Sequence, residues 1–387
     1  MKTVVGNVRV VTRDNLIENG YCVVSEGKIQ EVGRGSVRAD REIDGGGGLL
    51  VPGFVDLHCH GGAGFDFIDA TEEEVGKIAA FHLAHGTTTL IATTLTAELE
   101  KIHGAMSRIR NHMRQKPETT IAGIFLEGPW LNPAQCGAQN VGYMKLPDPD
   151  LLEAWKKEFP ELLRMGAAPE LEGGLAFGKK AEQLGILASV AHTDAEYSVI
   201  EQAAQNGYRL MTHLWSGMKG VTRKNAYRYG GAVEAGLVLD AFAVELIADG
   251  RHLPDELLKL AYRCKGPEGI CLVTDAIRAA GLPEGATSML GSIASGTEII
   301  VEDGVAKLPD RQSFAGSVAT ADRLYRKMAE AVGRDPVALS RMSSLTPATL
   351  MGFSDRGEIA EGKRADLLIL DQEYRIRKIM KNGEIQA

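Results

Sequence analysis

His58, Cys59 and His60 close the apolar run Leu49-Leu50-Val51-Pro52-Gly53-Phe54-Val55-Asp56-Leu57. In an extended strand alternate side chains share a face, so His58 and His60 project together while Cys59 points away. Two imidazoles spaced this way are half of a metal site. An isolated pair would more often be two satisfied or exposed histidines, so the rest of the chain must decide. Four further strand-like runs end in groups that complete such a site: residues 121–126 end in Glu127, 186–191 in His192, 208–212 in His213 and 270–274 in Asp275. Two His, one Glu and two more His are a nitrogen and oxygen set suited to Zn2+ or Fe2+ and poor for Mg2+ or Ca2+. A divalent ion there lowers the pKa of water from about 16 to roughly 7 and polarises a carbonyl. Asp275 then stands as the base that takes the water proton and returns it to a leaving group.

Each of these residues also has a plain structural reading. Asp275 before Ala276-Ile277-Arg278 could be a helix N-cap, Glu127 before Gly128-Pro129 a turn residue, and His192 and His213 core histidines bonded to backbone. The distribution of the nine histidines favours the site. His82, His85, His103 and His112 fall in helical or linking stretches, whereas the other five lie at strand ends or just beyond. His252, some residues past its strand, reads as a substrate-facing donor or a solvated loop histidine and not as a metal ligand.

Side chains gathered from the ends of several strands require a scaffold that brings those ends together. Strand-like runs at 53–58, 88–93, 120–127, 162–167, 186–192, 208–213, 242–248 and 270–275 alternate with helical stretches. Thr71-Glu72-Glu73-Glu74 opens one helix as a capping box, and Gly86 stops it. Eight β–α units with ligands on the first, third, fifth, sixth and eighth strands predict a closed (β/α)8 barrel, because an open sheet would hold its first and eighth strands apart. Residues 128–150 and 283–312 read as insertions at its mouth. Residues 1–52 and 353–387 are short strands with turns, the glycines 45–48 among them. Neither flank carries enough apolar material for its own core, so the two predict one small β-sandwich domain attached to a barrel of residues 53–352.

At 387 residues the chain accommodates both parts, and its 44% apolar and 24% charged composition is that of a globular protein. No stretch reaches the ~20 apolar residues of a membrane helix. Five scattered cysteines without a CxxC argue for reduced thiols in a cytoplasmic protein. A net charge of −8 with no basic stripe argues against nucleic acid. An anionic substrate would need local positive charge, and Arg223, Lys224 and Arg228 form the loop of that character near a candidate ligand.

Over nearly its whole length the chain resembles the amidohydrolase superfamily, and within it the N-acetylglucosamine-6-phosphate deacetylases. The resemblance lies in the segment from Pro52 to Gly61, in Phe125-Leu126-Glu127-Gly128-Pro129-Trp130, His192-Thr193-Asp194-Ala195 and Thr212-His213-Leu214, and further on in the segment from Glu245 to His252, Leu272-Val273-Thr274-Asp275-Ala276 and Phe314-Ala315-Gly316-Ser317. It implies that Glu127, His192 and His213 hold the main metal, Zn2+ or Fe2+, that His58 and His60 hold a second where one binds, and that Asp275 is the acid/base. It further implies that His252 grips the sugar phosphate and that the protein is a homodimer. Two departures touch recognition. Where the family has Asn-Ala-Met this chain has Ser216-Gly217-Met218, and the family's phosphate-binding His-Arg-Glu-Pro-Gly stretch is replaced by the run from Arg223 to Gly230, leaving Arg223, Lys224 and Arg228 as alternatives. Where relatives have Gly-Ala-His this chain has Gly137-Ala138-Gln139, and Gln139 donates a hydrogen bond without a cation's charge. The expected activity is hydrolysis of the acetamide of an N-acetylated amino-sugar phosphate, N-acetylglucosamine 6-phosphate first. The alternatives are N-acetylgalactosamine 6-phosphate, another N-acyl sugar, or a barrel that binds without catalysis.

Overall fold

In the computed structural model, which describes every residue except Ser295 and Ala387, the central apolar runs form one eight-stranded sheet. Its strands are Phe54–Cys59, Thr87–Thr94, Ile121–Glu127, Leu162–Ala167, Leu187–Val190, Tyr208–Met211, Ala243–Leu246 and Ile270–Leu272. Each pairs parallel with the next. The sheet closes on itself: the Asp275 N–H donates to the His58 carbonyl at 2.8 Å, and Cys59 and Ala276 form a parallel bridge. The expected barrel is therefore the observed one. Its strands were legible because parallel strands covered on both faces read as continuous apolar runs; Thr87–Thr94 is buried at every position.

Helices cover the outside. In the first, Glu72–Ala84, the Thr71 hydroxyl accepts from Glu74 N and the Glu74 carboxylate accepts from Thr71 N at 2.8 Å. The chain leaves the helix through Gly86 at φ +88°, a left-handed conformation that glycine adopts at little cost.

The two termini build a second, mixed sheet of seven strands in the order Glu384–Ile385, Ile376–Lys381, Leu367–Leu370, Arg41–Pro52, Thr3–Val11, Leu16–Ser25, Lys28–Arg34. Arg41–Pro52 joins the flanks, pairing antiparallel with Leu367–Leu370 and parallel with Thr3–Val11. The expected sandwich is thus made from a single hydrogen-bonded sheet. Its edge strand bridges back through Lys28 to Arg364, enclosing a core that includes Val5, Val10, Cys22, Ile29, Leu50 and Ile369.

One local expectation needs correction. Glycines 45–48 do not form a turn between strands, since Arg41–Pro52 runs through them. The register against Thr3–Val11 jumps from Gly6–Asp44 to Val8–Gly48, so the extra residues bulge out of the ladder. The apolar run before His58 spans two strands, Arg41–Pro52 and Phe54–Cys59. It breaks at Gly53, whose N–H donates to Asp366 O at 2.8 Å and where a Cβ would lie 2.2 Å from Thr88 Oγ1. The chain passes from small sheet to barrel at that point.

At the mouth, residues 128–150 carry two short 3-10 turns, Pro133–Gln135 and Val141–Tyr143. The 283–312 insertion folds as a three-stranded antiparallel sheet, Thr287–Leu290, Thr297–Glu302 and Val305–Lys307.

Candidate active site

The first strand ends with His58 Nε2 and His60 Nε2 3.1 Å apart, while Cys59 turns its thiol to His82 on the first helix. Glu127 ends the third strand between two groups of imidazoles. Its Oε1 lies 2.8 Å from His213 Nε2, 3.3 Å from His192 Nε2 and 3.6 Å from His58 Nε2. Its Oε2 lies 3.2 Å from His60 Nε2. Asp275 Oδ1 completes the cluster, 3.3 Å from His58 Nε2 and 3.2 Å from His60 Nε2. All six residues are buried. Two ligand sets share Glu127, one with His58 and His60 and one with His192 and His213, each with its donor atoms within 4.8 Å of one another.

Three of these residues lie past the last ladder hydrogen bonds of their strands, and each turns sharply. His192, His213 and Asp275 have φ of 44°, 30° and 46°, a region that costs a non-glycine residue about 1–3 kcal/mol and collects at functional sites. The turn takes their side chains out of strand alternation and converges them on Glu127. An extended reading of 186–192, 208–213 and 270–275 runs too long for this reason.

The remaining ring nitrogens of two histidines fix their tautomers. His58 Nδ1 is 3.2 Å from Glu245 Oε2 and His192 Nδ1 is 2.8 Å from the Gln135 carbonyl. Both partners only accept, so in the neutral rings Nδ1 carries the hydrogen and the Nε2 lone pair faces Glu127. Without a cation those nitrogens attract protons. Burial opposes charge on His60, yet its hydrogen bonds to Asp275 and Glu127 carry its pKa up to about 9. His58 is raised well above its ordinary value and His192 above it, again against burial, with Asp275 and Glu127 charging the first and Glu127 the second. Burial pushes the carboxyls up, but the adjoining imidazoles hold Glu127 well below its ordinary range and bring Asp275 to about 2. The cluster demands positive charge. A divalent cation on nitrogen and carboxylate oxygen satisfies that demand, so the residues fit a metal.

Two supporting residues escaped the sequence reading. Glu245, inside the seventh strand, accepts from His58, and Arg164, inside the fourth, pairs with Glu245. Their signal was a charge in the middle of an otherwise apolar run, which demands a buried partner.

Above the cluster is a cavity of about 240 Å³ whose lining includes Gln139, Ser216, Gly217, His252, Leu290 and Phe314. His252 holds Asp249 through Nδ1 at 2.8 Å and packs on Phe314, leaving Nε2 as its free ring nitrogen. Gly217 passes so close to His192 that a Cβ would fall 2.6 Å from its Nδ1. Gln139 turns to the candidate ligand cluster, its amide nitrogen 2.8 Å from Glu127 Oε2. Arg223, Lys224 and Arg228 lie together on an exposed hairpin, Thr222–Lys224 against Tyr227–Tyr229, with Arg223 opposite Arg228. Lys224 pairs with Glu196. None of the three lines the cavity, and no Lys or Arg is among its described lining residues.

A barrel with this ligand constellation defines an amidohydrolase, and residues 49–386 match the model of the Amidohydrolase family. The chain is 31% identical to the N-acetylglucosamine-6-phosphate deacetylase of Bacillus subtilis (strain 168), covering 98% of this chain and 96% of that one. It is 30% identical to the N-acetylgalactosamine-6-phosphate deacetylase of Escherichia coli O157:H7, covering 98% of each. It superposes with a TM-score of 0.90, at 32% identity and over 100% of this chain and 98% of that one, on a mutant N-acetyl-D-glucosamine-6-phosphate deacetylase from Mycobacterium smegmatis in complex with N-acetyl-D-glucosamine-6-phosphate. The chain belongs to the N-acetylglucosamine-6-phosphate deacetylase family of the amidohydrolase superfamily.

Proposed function

We propose that this protein hydrolyses the acetamide of N-acetylglucosamine 6-phosphate, giving glucosamine 6-phosphate and acetate. The observation that carries the reading is one buried Glu127 carboxylate shared by the imidazoles of His192, His213, His58 and His60, with Asp275 beside it. Glu127, His192 and His213 would hold the first divalent ion, Zn2+ or Fe2+, and His58 and His60 with Glu127 a second. When bound, the ion supplies Lewis acidity towards the carbonyl and towards water.

Asp275 stays ionised at neutral pH. It takes the proton of the attacking water and delivers it to the amide nitrogen as the C–N bond breaks. His252, fixed by Asp249, donates from Nε2 to the sugar phosphate, and the Ser216-Gly217 backbone forms the adjoining wall. A phosphate of nearly two charges needs cations, and the described lining residues include no Lys or Arg, so Arg223, Lys224 or Arg228 on the hairpin would supply them. The catalytic unit spans residues 53–352, and the mixed sheet of both termini is its support.

The Escherichia coli relative favours a second reading, the 4-epimer N-acetylgalactosamine 6-phosphate. Acetate release by metal-defined enzyme from both 6-phosphates and both unphosphorylated sugars separates the two. The proposal expects the highest kcat/KM for N-acetylglucosamine 6-phosphate, and preference for the epimer or for a plain sugar overturns it.

A further inference from the structure

Gln139 lines the cavity, and its side chain is engaged at both ends. Its Oε1 accepts the Thr96 backbone N–H at 3.0 Å. That contact fixes which way the amide faces, because a backbone N–H cannot pair with an NH2 group. The NH2 group must therefore point at the ligand cluster, where Nε2 lies 2.8 Å from Glu127 Oε2. The distance from Nε2 to His192 Nε2 is 3.4 Å, beyond a firm hydrogen bond.

The two oxygens of Glu127 are not equivalent. Oε1 faces His192, His213 and, at 3.6 Å, His58, whereas Oε2 faces His60 and the Gln139 amide. An ion between His58 and His60 would find Oε1 on the His58 side and Oε2 on the His60 side, and Oε2 already accepts from Gln139. An ion on the other set draws on Oε1 and two lone pairs that the amide leaves alone. Withdrawing the amide would break the Thr96 contact and leave a backbone N–H at a largely buried residue unpaired. Gln139 thus competes at one position and spares the other.

We propose that Gln139 sets the gap between two metal affinities, weakening the His58–His60 position relative to the Glu127–His192–His213 position, and that this is its role in place of sugar recognition. The inference rests on the metal-site reading above.

The test is a Zn2+ titration of the metal-free full chain, wild type against Gln139→Leu and Gln139→Ala, with chelator competition resolving the two binding steps. Removing a hydrogen bond to a charged group should tighten the weaker step by about tenfold or more and leave the tighter step within about twofold. Circular dichroism of each variant confirms the fold, and the second variant guards against failure of the first. An unchanged or weakened second step overturns the inference. So does a raised KM for N-acetylglucosamine 6-phosphate with both steps unchanged, which would make Gln139 a sugar contact. Failure of wild type to bind any Zn2+ overturns the metal-site reading itself, and the wild-type isotherm alone separates that result from the others.

Discussion

Glu245 Oε2 lies 3.2 Å from His58 Nδ1, tying the seventh strand to the first past the seam where the barrel closes. The same oxygen accepts the backbone N–H of His213 at 3.0 Å, so one carboxylate steadies a ligand from each set. Arg164 neutralises it from within the barrel. The guanidinium also donates to Leu57 O, Ser189 Oγ and Thr212 Oγ1, and its carbon lies 3.7 Å from the centre of the Phe125 ring. Burial raises the Glu245 pKa, but Arg164 and His58 bring it down to about 2.

Breaking a buried pair by removing one partner leaves the other charge uncompensated, at a cost of about 3–5 kcal/mol. Glu245→Ala should lose stability of that order in urea unfolding. The double variant Glu245→Leu with Arg164→Met should recover most of it, since neither charge remains. Both proteins should bind metal about 10–100-fold more weakly, because His58 and His213 lose their orienting partner. Wild-type metal affinity in the double variant would show that the network serves packing alone.

Asp275→Asn keeps the shape of the side chain and removes its proton acceptor. The variant should retain metal and thermal stability while kcat falls by about 10²–10⁴-fold. Turnover within a few-fold of wild type would show that Asp275 is not the base.

Glu127→Ala and His192→Ala should lose bound metal by elemental analysis, and His58→Ala or His60→Ala should lose less. The pH dependence follows from His60, at about 9 in the metal-free fold against ~6.5 unfolded. A raised pKa contributes stability that is complete below pH ~6.5 and is lost as pH climbs through about 9. Metal binding runs the other way, because the imidazole must shed its proton first. Between pH 6.5 and 9 the Tm of chelated protein should fall while the increment given by Zn2+ grows. A constant increment would mean that no histidine proton is displaced.

For the exposed hairpin, single neutralisations Arg223→Gln, Lys224→Gln and Arg228→Gln discriminate. The residue that meets phosphate should raise KM for the phosphorylated sugar by about 1.5–3 kcal/mol in equivalent free energy and leave the plain sugar unaffected. Unchanged preference in all three would assign phosphate recognition to other residues.

The barrel and its ligand-bearing strand ends were legible because buried parallel strands read as apolar runs and a ligand ends the run abruptly. The sharp turns at His192, His213 and Asp275 were not legible, since nothing in those residue types announces a positive φ. Glu245 shows no role in the sequence, because its partner Arg164 lies far off and only barrel closure brings them together. Gln139 read as a donor to sugar; the Thr96 N–H that turns its amide to Glu127 is a backbone group, and composition does not locate backbone groups. The glycines 45–48 misled for the opposite reason, since the residues that favour a turn are also those that a bulge tolerates.

The hydrogen bond between Asp275 N and His58 O has a consequence for how the molecule comes into being. His58 is made early and Asp275 late, so the last seam of the barrel and the last member of its acidic cluster arrive in one event. A nascent chain halted before the eighth strand carries every histidine of both ligand sets, yet presents an open sheet edge and no Asp275. Long-range closure of this kind is slow, and a cation cannot hurry the seam through a carboxylate that has not been synthesised. Closure of the fold and assembly of the full cluster are therefore one event: a partly made barrel lacks both the seam and Asp275.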